Sequence, residues 1–472
     1  MTIPASTSPD GCPPDLLEGS PLPPIAEIAD DGPSRALRQA AVTEVAARGY
    51  RATTVNDILA RTGMARTTFY GRYPNKAACV AAATDEVAVV ALALAAREAR
   101  DEPDPKRRLT LLLGGALGAA AQHPEATRLL ILESHAAGAP ASDARGRAVG
   151  AYARLVREAL LPDDRPCRIS DDIAHAIAGA VERTIIRRVV LGQASGLPPL
   201  APDLTRWAES YRPLLEDPAG SPMPSDDDPP PRRRRGRAPG TLVSPGPDGR
   251  RRLPPGPRRG PRSLVEHSQR DRILDAVATI VATEGYDALT TRALAAHAEI
   301  SLRTVYERFA STEDAFAATL LTGARGALAA ALPESMAPGE YARGLYAGLN
   351  ALLSFLAEEP AFAKVALVDA LSAGAIGHEA QTRALGALAA FLVQGFAEEP
   401  ACGAPLPLVA DAVASGTWEV CAHHIRTGRA GELPSLAPSL AYLALTPLLG
   451  APQAVAVVRE AHVRAPGSRP PG

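Results

Sequence analysis

The stretch Thr54-Val55-Asn56-Asp57-Ile58-Leu59-Ala60-Arg61-Thr62-Gly63-Met64-Ala65-Arg66-Thr67-Thr68-Phe69-Tyr70-Gly71-Arg72-Tyr73 decides the fold. Thr54 and Asp57 have capping-box spacing: the hydroxyl takes an orphan amide while the carboxylate reaches back, so a helix starts here. Gly63 breaks that helix, and a new turn begins near Ala65. Behind a longer first helix, two short helices parted by a glycine turn make a helix-turn-helix pattern. In that arrangement the third helix offers its N-terminal side chains, here Arg66, Thr67 and Thr68, to base edges in a major groove. Flanking hydroxyls, amides and cations hold phosphates and set register.

Working outward, the chain repeats itself. A shift of 236 residues sets Gly49-Tyr50 on Gly285-Tyr286, Thr54 on Thr290, Thr68 on Thr304, Tyr70 on Tyr306 and Arg72 on Arg308. The same shift, with no gap, sets Pro124 on Pro360, Gly138 on Gly374 and Leu197 to Pro202 on Leu433 to Pro438. One offset over so long a span means two complete domains of one fold. The second copy repeats the motif from Thr290 through Leu302, Arg303 and Thr304 to Tyr306, Arg308 and Phe309.

Composition agrees. Hydrophobic residues make up 46% and charged residues 22%, an ordinary globular balance, while aromatics at 4% and abundant Ala and Leu favour helix-on-helix packing. Ile273, Val277, Ile280 and Val281 follow the stripe of a helix burying one face. No sustained period-2 run suggests a strand. The fold expected is all-α: two tandem units, each a three-helix helix-turn-helix head followed by a helical ligand-binding and dimerisation domain. The boundaries read as an acidic Pro-rich tail at 1–33, heads at 34–80 and 268–316, and helical domains at 81–215 and 317–465. A Pro- and Arg-rich linker fills 216–267 and a frayed tail 466–472; the outer tails and the linker read as disordered. Cys12, Cys79, Cys167, Cys402 and Cys421 share no metal or redox spacing, so free thiols in a reducing compartment are expected. No secretory signal and no apolar run of membrane-spanning length is apparent, which points to a cytoplasmic protein with no membrane partner.

Charge is sorted along the chain. Residues 34–79 carry eight basic side chains against Glu44 and Asp57, whereas 270–315 carry five basic side chains and more acids than bases. The segment 229–265 holds eleven Arg and one acid. Its run Arg232-Arg233-Arg234-Arg235-Gly236-Arg237 reads as a solvated basic linker or a minor-groove hook, and Arg258, Arg259 and Arg262 lie just ahead of the second head.

These residues resemble the DNA-binding head of TetR-family transcriptional regulators, and do so twice. The resemblance implies that Thr54 and Thr290 cap the second helix and touch phosphate, with Val55, Asn56 and Thr291 beside them. It implies that Tyr70 and Tyr306 contact backbone or base, flanked by Arg72 and Arg308, and that Lys76 binds phosphate. Ala65 and Ser301 open the recognition helices; Arg66, Thr67, Thr68, Arg292, Leu302, Arg303 and Thr304 are placed for bases, Arg suiting the paired acceptors of guanine. The second head departs from the pattern: Glu299 stands where the turn Gly would sit, Thr312 where the first head has Lys76, and Glu307 beside the contact helix. Such an acidic head should bind weakly, because affinity depends on cations near phosphates.

For an effector pocket, Glu133, His135, His175, Glu182 and Arg183 lie on apolar helices, with Trp418 and Glu419 in the second copy. Ordinary buried hydrogen bonds are the alternative for each. His423-His424 with Cys421 lacks a correctly spaced carboxylate, so no metal is expected, nor any cofactor. No Ser/His/Asp, paired-carboxylate or phosphate-loop arrangement supports an enzyme. The expected protein is a sequence-specific DNA-binding regulator, a repressor modulated by a small, largely apolar ligand. The alternative is a ligand-sensing or protein-interaction module in which one or both heads have lost DNA binding. Tethered units should pair within one chain as a pseudo-dimer on an imperfect palindrome of double-stranded DNA, a homodimer being the other arrangement.

Overall fold

The computed structural model describes residues 32–161, 169–211, 262–331, 341–394 and 400–464. The expected N-terminal and C-terminal tails and the linker arginines from Arg232 to Arg259 fall outside the described residues. The chain divides into two compact units. The first holds residues 1–214 together with 385–420 and 443–451; the second holds 215–384, 421–442 and 452–472.

The first repeat runs α1 (Gly32–Arg48), α2 (Val55–Thr62), α3 (Arg66–Tyr70), α4 (Lys76–Ala96), α5 (Pro105–Gln122), α6 (Pro124–Arg128), α7 (Ser134–Ala136), α8 (Ala139–Leu160), α9 (Asp171–Val190) and α10 (Ala201–Glu209). The second runs α11 (Arg262–Glu284), α12 (Thr291–Ala298), α13 (Leu302–Arg308), α14 (Thr312–Ala331), α15 (Tyr341–Glu358), α16 (Pro360–Lys364), α17 (Ala375–Gln394), α18 (Leu406–Arg426), α19 (Ala437–Leu449) and α20 (Ala451–Arg464). Helices α12 to α17 start 236 residues after α2, α3, α4, α5, α6 and α8 respectively. Even the π-helical turn after α6, Leu129–Glu133, recurs after α16 as Val365–Asp369. No strand occurs among the described residues.

Local chemistry sets the helix ends. The Thr54 hydroxyl accepts the Asp57 amide, and the Asp57 carboxylate takes the Thr54 amide at 2.8 Å, completing the capping box. Asn75 caps α4 through the Ala78 amide. Asp104 caps α5 ahead of Pro105, whose missing N–H would have been unpaired at that position anyway. Ser301 caps α13 through the Thr304 amide, whereas α3 begins at Ala65 with no side-chain cap.

Each head is built on a small core. In the first, Leu37, Val45, Ile58, Phe69, Cys79 and Val80 close on one another. In the second, Ile273, Val277, Ile280 and Val281 are fully buried, as their spacing requires, against Leu294, Val305 and Phe316. Helix α4 is long and apolar enough to cross a membrane by length and composition, more than the sequence reading allowed. Here it is the central helix of the first unit, packed against α1, α5 and α8. Its two acids are paired: Asp85 with Arg147 at 2.7 Å, and Glu86 with the buried Arg38.

The two heads solve one turn differently. Gly63 ends α2 at φ 67°, a conformation glycine adopts without penalty, and Glu299 ends α12 at φ 50°. An L-residue there meets its own carbonyl and costs roughly 1 kcal/mol or more. The Arg272–Glu299 pair, whose carboxylate side is open to water, offsets little of that. Glu299→Gly should therefore raise stability by about 0.5–1 kcal/mol in urea unfolding; unchanged or lower stability would show the turn to be unstrained.

Candidate nucleic-acid interface and internal cavity

The side chains expected to meet DNA lie on the surface of their heads. Thr54, Asn56, Ala65, Arg66, Thr67, Tyr70 and Arg72 are exposed, with Val55, Thr68 and Lys76 half-buried. In the second head Thr290, Arg292, Ser301, Leu302, Arg303 and Tyr306 are exposed and Thr291, Thr304 and Arg308 half-buried. The first set is thus spread over the start of α2, the short α3 and the start of α4, and the second over the start of α12 and the short α13. Tyr70 is 51% and Tyr306 64% exposed, a large aromatic surface to leave in water unless a partner covers it.

The charges of the first head are not all equivalent. Arg38 is buried, paired with Glu86 and donating to the Tyr73 hydroxyl, so it belongs to the core. Arg48 and Arg61 pair with Glu44, and Arg48 also with Asp57. Lys76, expected to grip phosphate, donates from Nζ to the carbonyls of Tyr50 and Thr53 at 2.7 Å each and sits over the Tyr50 ring. Its first task is to hold the loop that presents Thr54. Arg66 remains on the exposed face, its Nε 3.2 Å from Asn56 Oδ1. In the second head Leu302 stands at the position of Arg66, and the arginine beside it is engaged by an acid: Arg303 Nε lies 2.9 Å from Glu307, one turn along the same helix.

Behind the first head, α1, α4, α5, α8 and α9 line a partly open cavity of about 170 Å³. Its wall is mostly Ala, Val, Leu and Ile, with Gln39 and Thr43 from α1 and Tyr152 from α8. At one end Arg145 forms a two-pronged pair with Glu182 and lies 3.6 Å from Glu419, which α18 contributes to this unit. Burial opposes the charge on Arg145, but the attraction of Glu182 and then Glu419 outweighs it, so the pKa is raised.

A sequence profile described as bacterial regulatory proteins, tetR family, matches residues 37–83 and again 273–319. The chain carries two DNA-binding heads of this family in tandem. No curated protein matches it. Among solved structures it is similar to the transcriptional regulator FadR from Bacillus subtilis in complex with stearoyl-CoA (17% identity, 37% of this chain and 97% of that one, TM-score 0.34). It is also similar to the fatty acid degradation regulator FadR from Bacillus halodurans (16%, 37% and 97%, TM-score 0.33). A TetR-like regulator from Rhodococcus sp. RHA1 gives 24%, 37% and 93%, with TM-score 0.30.

Of the pocket residues expected from the sequence, Glu182 lines the cavity. Glu419 stands one contact behind it, on Arg145. Glu133 faces the other way: the π-helical turn directs it to the Tyr50 amide at 2.9 Å and to Arg128, so it joins body to head. His135 is buried on α7 away from the lining, and His175 Nδ1 lies 2.9 Å from the Asp171 carbonyl in its own helix. Arg183 lies 6.0 Å from the centre of the Trp418 ring. Sequence reasoning missed Arg145 and Tyr152, since a single Arg on a helix with many surface charges carries no mark of burial. Periodicity was the available signal: Arg145, Ala148, Val149 and Tyr152 form one helical stripe.

The cap of α2 gives a pH test. Hydrogen bonds from the Thr54 hydroxyl and amide, and then Arg48, hold the Asp57 carboxyl below its ordinary range. A depressed folded pKa means the cap contributes fully above the unfolded value, about 3.9, and loses that contribution as pH falls through the lower folded value. Asp57→Asn should be less stable than the parent at pH 7, with the gap closing below about pH 4; a gap constant from pH 7 to pH 2 would refute the charged cap.

Proposed function

We propose that this protein is a ligand-released repressor, in which the first head carries most of the DNA affinity and the first-unit cavity takes a small, largely apolar effector. The observation that carries the reading is the shared wall: α1 and α4, which frame the head, line the same cavity as α8 and α9. A molecule filling that space favours one spacing of those helices over another, and so biases the position of α3. Heads on successive major grooves must sit about 34–36 Å apart, so a small change at the cavity suffices to break register. A ligand acts only through its differing affinity for the two arrangements.

The charge asymmetry predicts unequal heads. Arg66→Ala should cost roughly 1–3 kcal/mol of specific binding and relax selectivity, as loss of a base contact does. Arg303→Ala should cost less, because Glu307 already holds that guanidinium. Gel shifts over a salt series, with the segment upstream of the gene and unrelated fragments, measure both; equal losses would refute the ranking.

The same reading includes pairing of the two repeats within one chain, on an imperfect palindrome because Arg66-Thr67 and Leu302-Arg303 cannot read identical half-sites. Supporting it, α9 and the first part of α18 approach closely inside the first unit. A Cβ on Gly179 would lie 2.2 Å from Glu419, and one on Gly416 would lie 2.9 Å from the Ala176 carbonyl. The Tyr211 hydroxyl donates to the Leu443 carbonyl at 2.9 Å in the same unit. Light scattering should then give one chain, 49.0 kDa; a stable mass of two chains would mean that each repeat pairs with its own copy.

A further inference from the structure

We propose that each chain binds a single apolar effector, in the first unit, and that the second repeat is closed to ligand by its own phenylalanines. This rests on the reading of the first-unit cavity as the effector site. Because the repeats align without a gap, each cavity position has a counterpart 236 residues on. Val87, Ala119 and Ala126 line the first-unit cavity on α4, α5 and α6. Their counterparts on α14, α15 and α16 are Gly323, Phe355 and Phe362.

These exchanges are coupled in space. The rings of Phe355 and Phe362 pack edge to face with centres 6.1 Å apart. Phe362 lies directly against the backbone of α14: a Cβ on Gly323 would fall 1.8 Å from its ring. The valine of the first repeat is therefore removed in the second so that a phenyl ring can enter, a paired change that loose packing would not require. A cavity of on the order of 150 Å³ accommodates one benzene, so two rings are enough to occupy a space like the 170 Å³ of the first unit. The polar end changes as well, since Arg145 becomes Gln381, buried but uncharged. The second repeat thus contains as side chains the apolar matter that the first must take from outside.

The first cavity suits a molecule with an aromatic or short alkyl body and one hydrogen-bonding group directed at Arg145 and Glu182. Indole has that chemistry and a size that such a cavity can hold, and its binding is read by isothermal titration calorimetry. Titrated into the full chain, it should saturate at one site per chain. Ala119→Phe with Ala126→Phe copies the second repeat into the first and should abolish saturable binding, with far-UV dichroism and cooperative unfolding retained. Phe362→Ala, alone or with Phe355→Ala, should open a second site and raise the stoichiometry to two. Two sites in the native chain, no saturable site, or unchanged binding by the filled variant would each overturn the proposal. Gel shifts run with the probe test the underlying reading separately: one bound probe that leaves DNA affinity unchanged would refute the effector role and leave the asymmetry standing.

Discussion

A guanidinium buried between two carboxylates links the parts of the first unit. Arg145 comes from α8, Glu182 from α9 and Glu419 from the part of α18 that belongs to this unit. Removing one member of such a cluster leaves a buried charge without its partner and typically costs about 3–5 kcal/mol. The cluster therefore constrains three helices at once, and it does so at the wall of the cavity. Close helix approach at Gly179 and Gly416 makes that geometry possible, because any larger side chain would hold α18 away and move Glu419 out of reach.

The heads are joined to the body by similar polar contacts rather than by hydrophobic area alone. Glu133, at the end of a π-helical turn, accepts the Tyr50 amide, and Lys76 fastens the carbonyls of the same loop. The loop so held presents Thr54 and starts α2. A displacement of α4 or of the π turn is consequently felt at the residues that would meet phosphate, with no need for a separate transmitting element. Buried Arg38, paired with Glu86 and bonded to Tyr73, fastens α1 to α4 on the other side of the head.

Duplication supplied two copies of this arrangement, and the copies have diverged in complementary ways. The first head exposes Arg66, and the first cavity is lined by alanines. The second head pairs its Arg303 with Glu307 and strains its turn at Glu299, while Phe355 and Phe362 stand in ring contact at the positions of the alanines Ala119 and Ala126. Burial pushes the Cys79 thiol up to about 12, consistent with a packing role in the first head rather than a reactive one.

Much of this was legible from the residues alone. Thr54, Asp57, Gly63 and Ser301 act on the backbone within a few positions of themselves, so the caps, the turn and the short recognition helices could be read directly. Burial of Ile273, Val277 and Ile280 followed from period, the all-α class from composition and that period, and the two tandem units from the gapless repeat. The cavity was not legible in the same way. Glu133, His135 and Glu182 look alike as polar residues on apolar helices, and only the crossing of α8, α9 and α18 decides that Glu182 faces Arg145 while Glu133 turns to the head. The partner of a buried charge is chosen by packing between segments distant in the chain, and local sequence carries no record of that choice.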